Sequence, residues 1–161
     1  MKTLIIIRHS DSNPSVGFES DFARSLSNKG KKNAAIMAEK LFTKISSIDT
    51  FIVSAALRTR ETAAFFEKKF ADATVIFEHQ LYHASESVIH KVIEKANDKI
   101  NILALIGHNP GITDFVNSLS STKIDHMPPC GVFMVKIKID CWKDFEQATK
   151  LFFYFGYPSQ L

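Results

Sequence analysis

Four short apolar runs constrain this chain more than any other feature. Leu4-Ile5-Ile6-Ile7 has no polar break, and so short a continuous run reads as a strand buried on both faces of a parallel sheet. Asp49 to Val53, Thr74 to Phe77 and Ile102 to Ile106 have the same character. Between them apolar residues recur at helical spacing: Ala34, Met37, Ala38, Leu41 and Ile45; then Val88, Ile89, Val92, Ile93 and Ala96; then Ile112, Phe115, Val116 and Leu119. A further helix is expected from about Thr59 to Phe70. Strands alternating with helices of this length specify βαβ units. The expected fold class is therefore α/β, a three-layer α/β/α sandwich on a mostly parallel sheet.

The C-terminal part changes period. Val135, Ile137 and Ile139 alternate with Lys136 and Lys138, the pattern of a half-exposed strand whose lysines guard a sheet edge. Leu151 to Phe155 reads as a second strand pairing antiparallel with it, its phenylalanines taken as core, as are Phe65, Phe66 and Phe70. The whole chain, 1–161, is expected to form one domain: 161 residues, 45% of them hydrophobic, suffice for one ordinary core.

No apolar run approaches the roughly 20 residues of a membrane span, and Leu4 to Ile7 is too short for a secretory h-region. A cytoplasmic protein with no membrane partner is expected. A net charge of +3 without clustered Lys or Arg gives no nucleic-acid face. Cys130 and Cys141 lack CxxC spacing and are expected to be buried thiols.

Polar signals follow three of the predicted strands: Arg8-His9 after the first, Ser54 through Arg58 after the second, and Gly107-His108-Asn109-Pro110 after the fourth. In open α/β sheets, residues at the carboxyl ends of strands converge on one crevice. Two arginines and two histidines there suit a phosphoryl group, because Arg presents a planar fork to phosphate oxygens and His serves as nucleophile or donor. Taken singly, each is more often a satisfied surface or structural residue. A lone Arg at a helix start is a weaker signal still, but its charge opposes the dipole, so Arg58 needs a reason such as a bound anion, and the joint pattern of the four residues carries the argument. The segment Asp11 to Arg24, rich in Ser, Asp and Asn, reads as a surface loop next to the first strand's end. Asn109 and Pro110 read as the N-cap and first residue of the next helix.

Arg8-His9-Ser10 resembles the Arg-His-Gly signature of the histidine phosphatase superfamily, the phosphoglycerate-mutase-like proteins. Ser54-Ala55-Ala56-Leu57-Arg58-Thr59-Arg60-Glu61-Thr62-Ala63 is similar to that family's Ser-Pro-x-x-Arg-x-x-x-Thr-Ala segment, and Gly107-His108-Asn109-Pro110 to its second-histidine motif. Arg24-Ser25-Leu26-Ser27 through Gly30 resembles the corresponding segment of the short SixA-type phosphohistidine phosphatases. The resemblance spans residues 2 to about 120.

It implies a phosphohydrolase working through a phosphohistidine on His9, with Arg8, Arg58 and His108 around the phosphoryl oxygens and Arg24 as an accessory contact. Ser10 and Asn109 are further candidates for phosphate or substrate contact. No metal and no cofactor are expected, since side chains supply the cations that phosphoryl transfer needs. Protein phosphohistidine is the leading substrate class, with a small phosphate ester or a catalytically idle phospho-ligand binding protein as alternatives. The chain departs from the family pattern at Ser10, where Gly is usual, and at Ser25 and Ala55, where Pro is common. Many larger relatives carry an acidic residue after the third strand, but Glu78-His79-Gln80-Leu81-Tyr82-His83-Ala84-Ser85-Glu86 has no clear match, so the general acid stays unassigned. His79 and His83 have a spacing that two metal ligands use on a helix, but no third ligand accompanies them.

Overall fold

The computed structural model describes residues 1–160. Six strands form one sheet in the order β3-β2-β4-β1-β5-β6: β1 Lys2–Arg8, β2 Thr50–Ser54, β3 Thr74–Glu78, β4 Ile102–Gly107, β5 Val132–Ile137 and β6 Lys150–Gly156. The first four are parallel, while β5 runs antiparallel to β1 and β6 antiparallel to β5.

Alternation along the central strands feeds two cores. Leu4 and Ile6 of β1 point to one face with Leu103 and Leu105 of β4, under α3 (Glu86–Glu94), α4 (Gly111–Leu119) and the Trp142–Phe145 turn. Ile5, Ile7, Ala104 and Ile106 point to the other face, under α1 (Asn28–Lys44) and α2 (Leu57–Glu67). Both faces of β1 are therefore covered, which is why its run has no polar break. No helix among the described residues is long and apolar enough to cross a membrane.

Several expectations are corrected. β3 is an edge strand, with Ile76 and Phe77 exposed rather than buried on both faces. Its apolar residues reflect β propensity and the cover that Arg60 gives Phe77 through a cation–π contact. β5 is interior, between β1 and β6, and Val132 to Val135 are fully buried. Its one lysine, Lys136, therefore guards no edge and instead lies over the Phe153 ring, while Lys138 falls beyond the strand's end. Edge strand β6 exposes Leu151, Phe152 and Phe153, so these are not core. Phe66 and Phe70 are buried as expected, while Phe65 is only partly so. Cys130 is buried, but Cys141 is only half-buried.

The segment from Asp11 to Arg24 is anchored at both ends. Ser27 caps α1 by accepting from the Gly30 amide, and its amide and hydroxyl bind Asp11. Gly30 lets the two segments meet: a Cβ there would lie 1.9 Å from the Asp11 carbonyl oxygen. Gly30→Ala must push α1 away from the loop that follows β1. It is expected to lower stability in urea unfolding by about 1–3 kcal/mol, the usual cost of forcing atoms into a packed site.

Candidate active site

The register of β1 and β4 sets the site. Arg8 pairs with Gly107, so His9 and His108 leave the sheet at the same level, and the His9 amide still donates to the Gly107 carbonyl at 3.1 Å. The two imidazole centroids are 5.3 Å apart. Arg58, the second residue of α2, arrives from beyond β2. These four residues, with Arg24, Asp21 and His83, border one cavity of about 290 Å³. The convergence expected from strand ends is thus realised.

His9 is nearly buried, and its Nδ1 lies 2.7 Å from the Ser10 carbonyl oxygen. A carbonyl only accepts, so Nδ1 carries the proton and Nε2 keeps its lone pair. Arg58 Nε donates to that Nε2 at 3.3 Å. Burial, reinforced by the charges of Arg8, Arg58 and Arg24, pushes the His9 pKa down to about 4. The residue is therefore neutral and nucleophilic near pH 7. His108 Nε2 pairs with the Ser54 hydroxyl at 2.7 Å. Burial first, then the charges of His9, Arg58 and His83, lower its pKa to about 2.

Two buried nitrogens in this wall have no hydrogen-bond partner among the described residues: Arg8 Nε, a donor, and His108 Nδ1, a donor when Nε2 accepts from the Ser54 hydroxyl. Arg8 is otherwise held by Nη1, which donates to the Met127 carbonyl at 3.0 Å. Buried polar groups are rarely left unpaired. A group with several acceptor oxygens would satisfy such a wall.

Sequence reasoning missed Asp21. It sits in a 3-10 turn, Asp21–Ala23, inside the presumed surface loop. Its carbonyl accepts from Arg58 Nη1 and its Oδ2 from Arg58 Nη2, at 2.7 and 3.0 Å. Oδ2 also accepts from the Tyr82 hydroxyl at 2.6 Å and meets His83 Nε2 at 3.1 Å, while Oδ1 takes Arg24 Nη1 at 3.0 Å. The Tyr82 hydrogen bond, then those of Arg24 and Arg58, hold its carboxyl well below the usual carboxylate range. This is the anion that a buried arginine at a helix start requires. The only sequence signal for it was the position of an acidic residue three places before Arg24.

The remaining candidates divide. Arg24 borders the cavity, with its three nitrogens engaged by Asn13, Asp21 and Ser12. Ser10 is a correction: it is fully buried, its hydroxyl donates to the Gly30 carbonyl and its amide to Thr62 Oγ1, so it faces α1 and α2 rather than a ligand. Asn109 borders the cavity, but its amide is spent on the Met127 carbonyl and on Thr113. It also does not cap α4. Pro110 is the N-cap, after a cis Asn109–Pro110 bond, and the helix starts at Gly111. Of the segment after β3, His83 reaches the cavity. Glu78 caps the following turn through the Gln80 amide, Glu86 opens α3, and His79 stacks on Phe22. No cluster of three or more potential metal ligands occurs among the described residues.

No protein-family model matches the chain. An uncharacterized protein of Mycobacterium leprae is 26% identical over 119 residues, 72% of each chain. Among solved structures, one provisionally named phosphohistidine phosphatase SixA from Nakamurella multipartitia superposes with a TM-score of 0.86 at 20% identity, covering 98% of this chain and 96% of that one. The protein histidine phosphatase SixA complexed with tungstate gives 0.82 at 18% identity, covering 98% of both. A mycobacterial glucosyl-3-phosphoglycerate phosphatase complexed with VO3 gives 0.68 at 13% identity, covering 96% of this chain and 98% of that one. At such identities the likeness is one of fold, and the fold is that of SixA and its phosphoglycerate-mutase-like neighbours.

Keeping two imidazoles neutral has a consequence for stability. Their folded pKa values lie below the ordinary 6.5, so below that pH the unfolded chain binds protons that the folded one refuses. The stability they contribute is complete above about pH 6.5 and is lost as pH falls, by up to roughly 1.4 kcal/mol per pH unit for each imidazole, toward about 4 for His9 and to still lower pH for His108. Urea unfolding between about pH 7 and pH 5 should show this fall, and a His9→Asn, His108→Asn double variant should show a shallower one.

Proposed function

We propose that this chain is a phosphohydrolase in which His9 Nε2 takes the phosphoryl group and returns it to water. The observation that carries the reading is the pairing of one buried lone pair with unpartnered buried donors across a single small cavity. His9 Nε2 is the lone pair; Arg8 Nε is a donor, and so is His108 Nδ1 in the tautomer whose Nε2 accepts from the Ser54 hydroxyl. A phosphoryl group needs an in-line nucleophile and positive or donor groups around its equatorial oxygens, and little else from the protein.

In this reading Arg8, Arg58 and His108 bind the phosphoryl oxygens, with Arg24 nearer the mouth. The Arg58 Nε–H that meets His9 Nε2 is released when that lone pair attacks, and with the two N–H groups that Asp21 leaves free it can serve the phosphoryl oxygens. Nucleophilic attack by Nε2 displaces the leaving group and gives phospho-His9. Attack by water then breaks the P–N bond and releases inorganic phosphate. The fold shared with SixA supports the assignment. No step calls on a metal.

The mouth of the cavity supports one substrate class over another. Asp21 and His83 on its rim keep 41% and 54% of their side-chain surface exposed, and the chain between Leu81 and Ile102 forms little more than α3. Among the described residues that stretch offers no long insertion to act as a lid, of the kind that closes over small ligands in many enzymes. An open mouth suits a phosphohistidine displayed on another protein, and neutral imidazole is a good leaving group. The second reading, a small phosphate ester, draws support from the fold shared with glucosyl-3-phosphoglycerate phosphatase.

Three outcomes test this. Rapid quenching should trap phosphate on His9 in an acid-labile, base-stable bond. His9→Ala should abolish turnover, and Arg8→Ala or Arg58→Ala should lower it by about 10²-fold or more, as when one transition-state donor is lost. Residual label on another residue, or an active His9→Ala variant, would overturn the mechanism.

Vanadate should raise the melting temperature, by the equivalent of roughly 2.7 kcal/mol at a hundredfold excess over its dissociation constant. EDTA should leave turnover unchanged. Loss of activity restored by a divalent ion would contradict the reading.

For substrate class, kcat/KM on a phosphohistidine-bearing protein should exceed that on sugar phosphates, phosphoglycerate and phosphoserine peptides by roughly tenfold or more, about 1.4 kcal/mol of differential transition-state binding. A faster small ester would favour the second reading and leave the His9 chemistry standing.

A further inference from the structure

Both half-reactions of such a cycle move a proton, and the buried imidazoles are poorly placed to carry it. His9 is the nucleophile, with Nδ1 tied to the Ser10 carbonyl. His108 is buried against Ser54 and kept neutral. Of the carboxylates on the cavity wall, Asp21 is committed to Arg58, Arg24, Tyr82 and His83, and Asp11 to the Ser27 hydroxyl.

His83 differs from all of these. It borders the same cavity as His9, its ring centroid is 5.6 Å from that of His108, and more than half of its side chain is open to solvent. Its backbone is in the left-handed region, with φ of 51°. A histidine at such a φ is uncommon, and strain of this kind collects at functional sites. Two contacts fix the ring there: Nε2 meets Asp21 Oδ2, and the Tyr82 ring lies 4.1 Å away, centroid to centroid. Carboxylate contact at Nε2 leaves Nδ1 as the nitrogen that exchanges a proton, the arrangement in which a carboxylate orients a histidine base.

We infer that His83 is the proton-transfer residue of the cycle and that Asp21 is its positioning residue; this rests on the His9 reading above. In the first half-reaction the His9 Nε2 lone pair forms the P–N bond. The bond from phosphorus to the leaving atom breaks with its electron pair, and the leaving atom takes the proton from His83 Nδ1. In the second, a water oxygen bonds to phosphorus, its proton passes to His83 Nδ1, and the electron pair of the breaking P–N bond returns to His9 Nε2. The proton given in one half is recovered in the other, so His83 ends each turnover as it began.

The test separates the two halves. Labelled 4-nitrophenyl phosphate, whose leaving group needs no acid, is mixed with enzyme and quenched over time. His83→Asn and His83→Gly are the variants, because Asn and Gly both accept a left-handed backbone and spare the fold. Each is expected to form acid-labile phosphoenzyme at close to the wild-type rate and to lose it about 10²-fold more slowly, within the range of general-base contributions. Added imidazole should speed the decay of the His83→Gly phosphoenzyme, with the label appearing as inorganic phosphate.

Decay at the wild-type rate in both variants overturns the inference. So does slow decay that imidazole leaves unchanged, which marks a structural role, and so does label recovered on imidazole itself. Failure of the underlying His9 reading looks different: no acid-labile phosphoenzyme forms even in the wild type, or one forms in His9→Ala, and this inference then falls with it.

Discussion

Parallel pairing of β1 with β4 is the constraint on which the site depends. Because Arg8 lies opposite Gly107, the two histidines leave the sheet side by side, and the His9 amide bonds back to Gly107. A slip of one residue would send Ile5 and Ile7 to the opposite face and carry His9 away from His108. That slip is prevented far from the site, by the two separate cores that β1 feeds through alternate residues. The geometry of the candidate site and the core packing are thus set by the same register, and a strand buried on both faces specifies it strongly.

Charge is the second constraint. Arg58 is almost fully buried at a helix N-terminus, beside Arg8 and a histidine. Asp21 answers it with a carboxylate and a carbonyl, and the same carboxylate gathers Arg24, Tyr82 and His83. One side chain from the loop after β1 therefore links α2 to the segment after β3 across the mouth. The loop is anchored in turn by Ser27 and by the close approach of Gly30 to Asp11. Surface position and loop composition hid this role, although the residue is as much a part of the site's electrostatics as the arginines.

Legibility in the sequence follows the range of the interaction. Strand and helix periodicity is local, so the α/β architecture and the placement of Arg8, His9, Arg58 and His108 at strand or helix ends could be read directly. Strand order is not local. β3 and β5 exchanged their expected settings, edge and interior, because an apolar run states what a strand can tolerate and not which neighbours it finds. Ser10 was misread for a similar reason. Its hydroxyl finds the Gly30 carbonyl twenty residues on, a partner that no short motif reveals. Asp21 and His83 were beyond reach because each is defined by the other, across sixty-two positions of chain.

The balance of charge also bears on what the site does with its product. Three guanidinium groups line the cavity against two carboxylates, Asp11 and Asp21, and both buried histidines are neutral. A phosphate dianion therefore meets a field only modestly positive overall, although individual donors grip its oxygens. On the proposed reading phosphate would share Arg58 with Asp21, so the carboxylate would hold the guanidinium in place when phosphate departs and limit the reorganisation that binding requires. A mutase must retain its phosphorylated intermediate long enough for a second molecule to accept the group, which favours enclosure and strong anion affinity. Here the rim is open to solvent at Asp21 and His83. On the proposed reading such a rim would let water reach phospho-His9, and the same openness would admit a phosphorylated side chain presented on a larger partner.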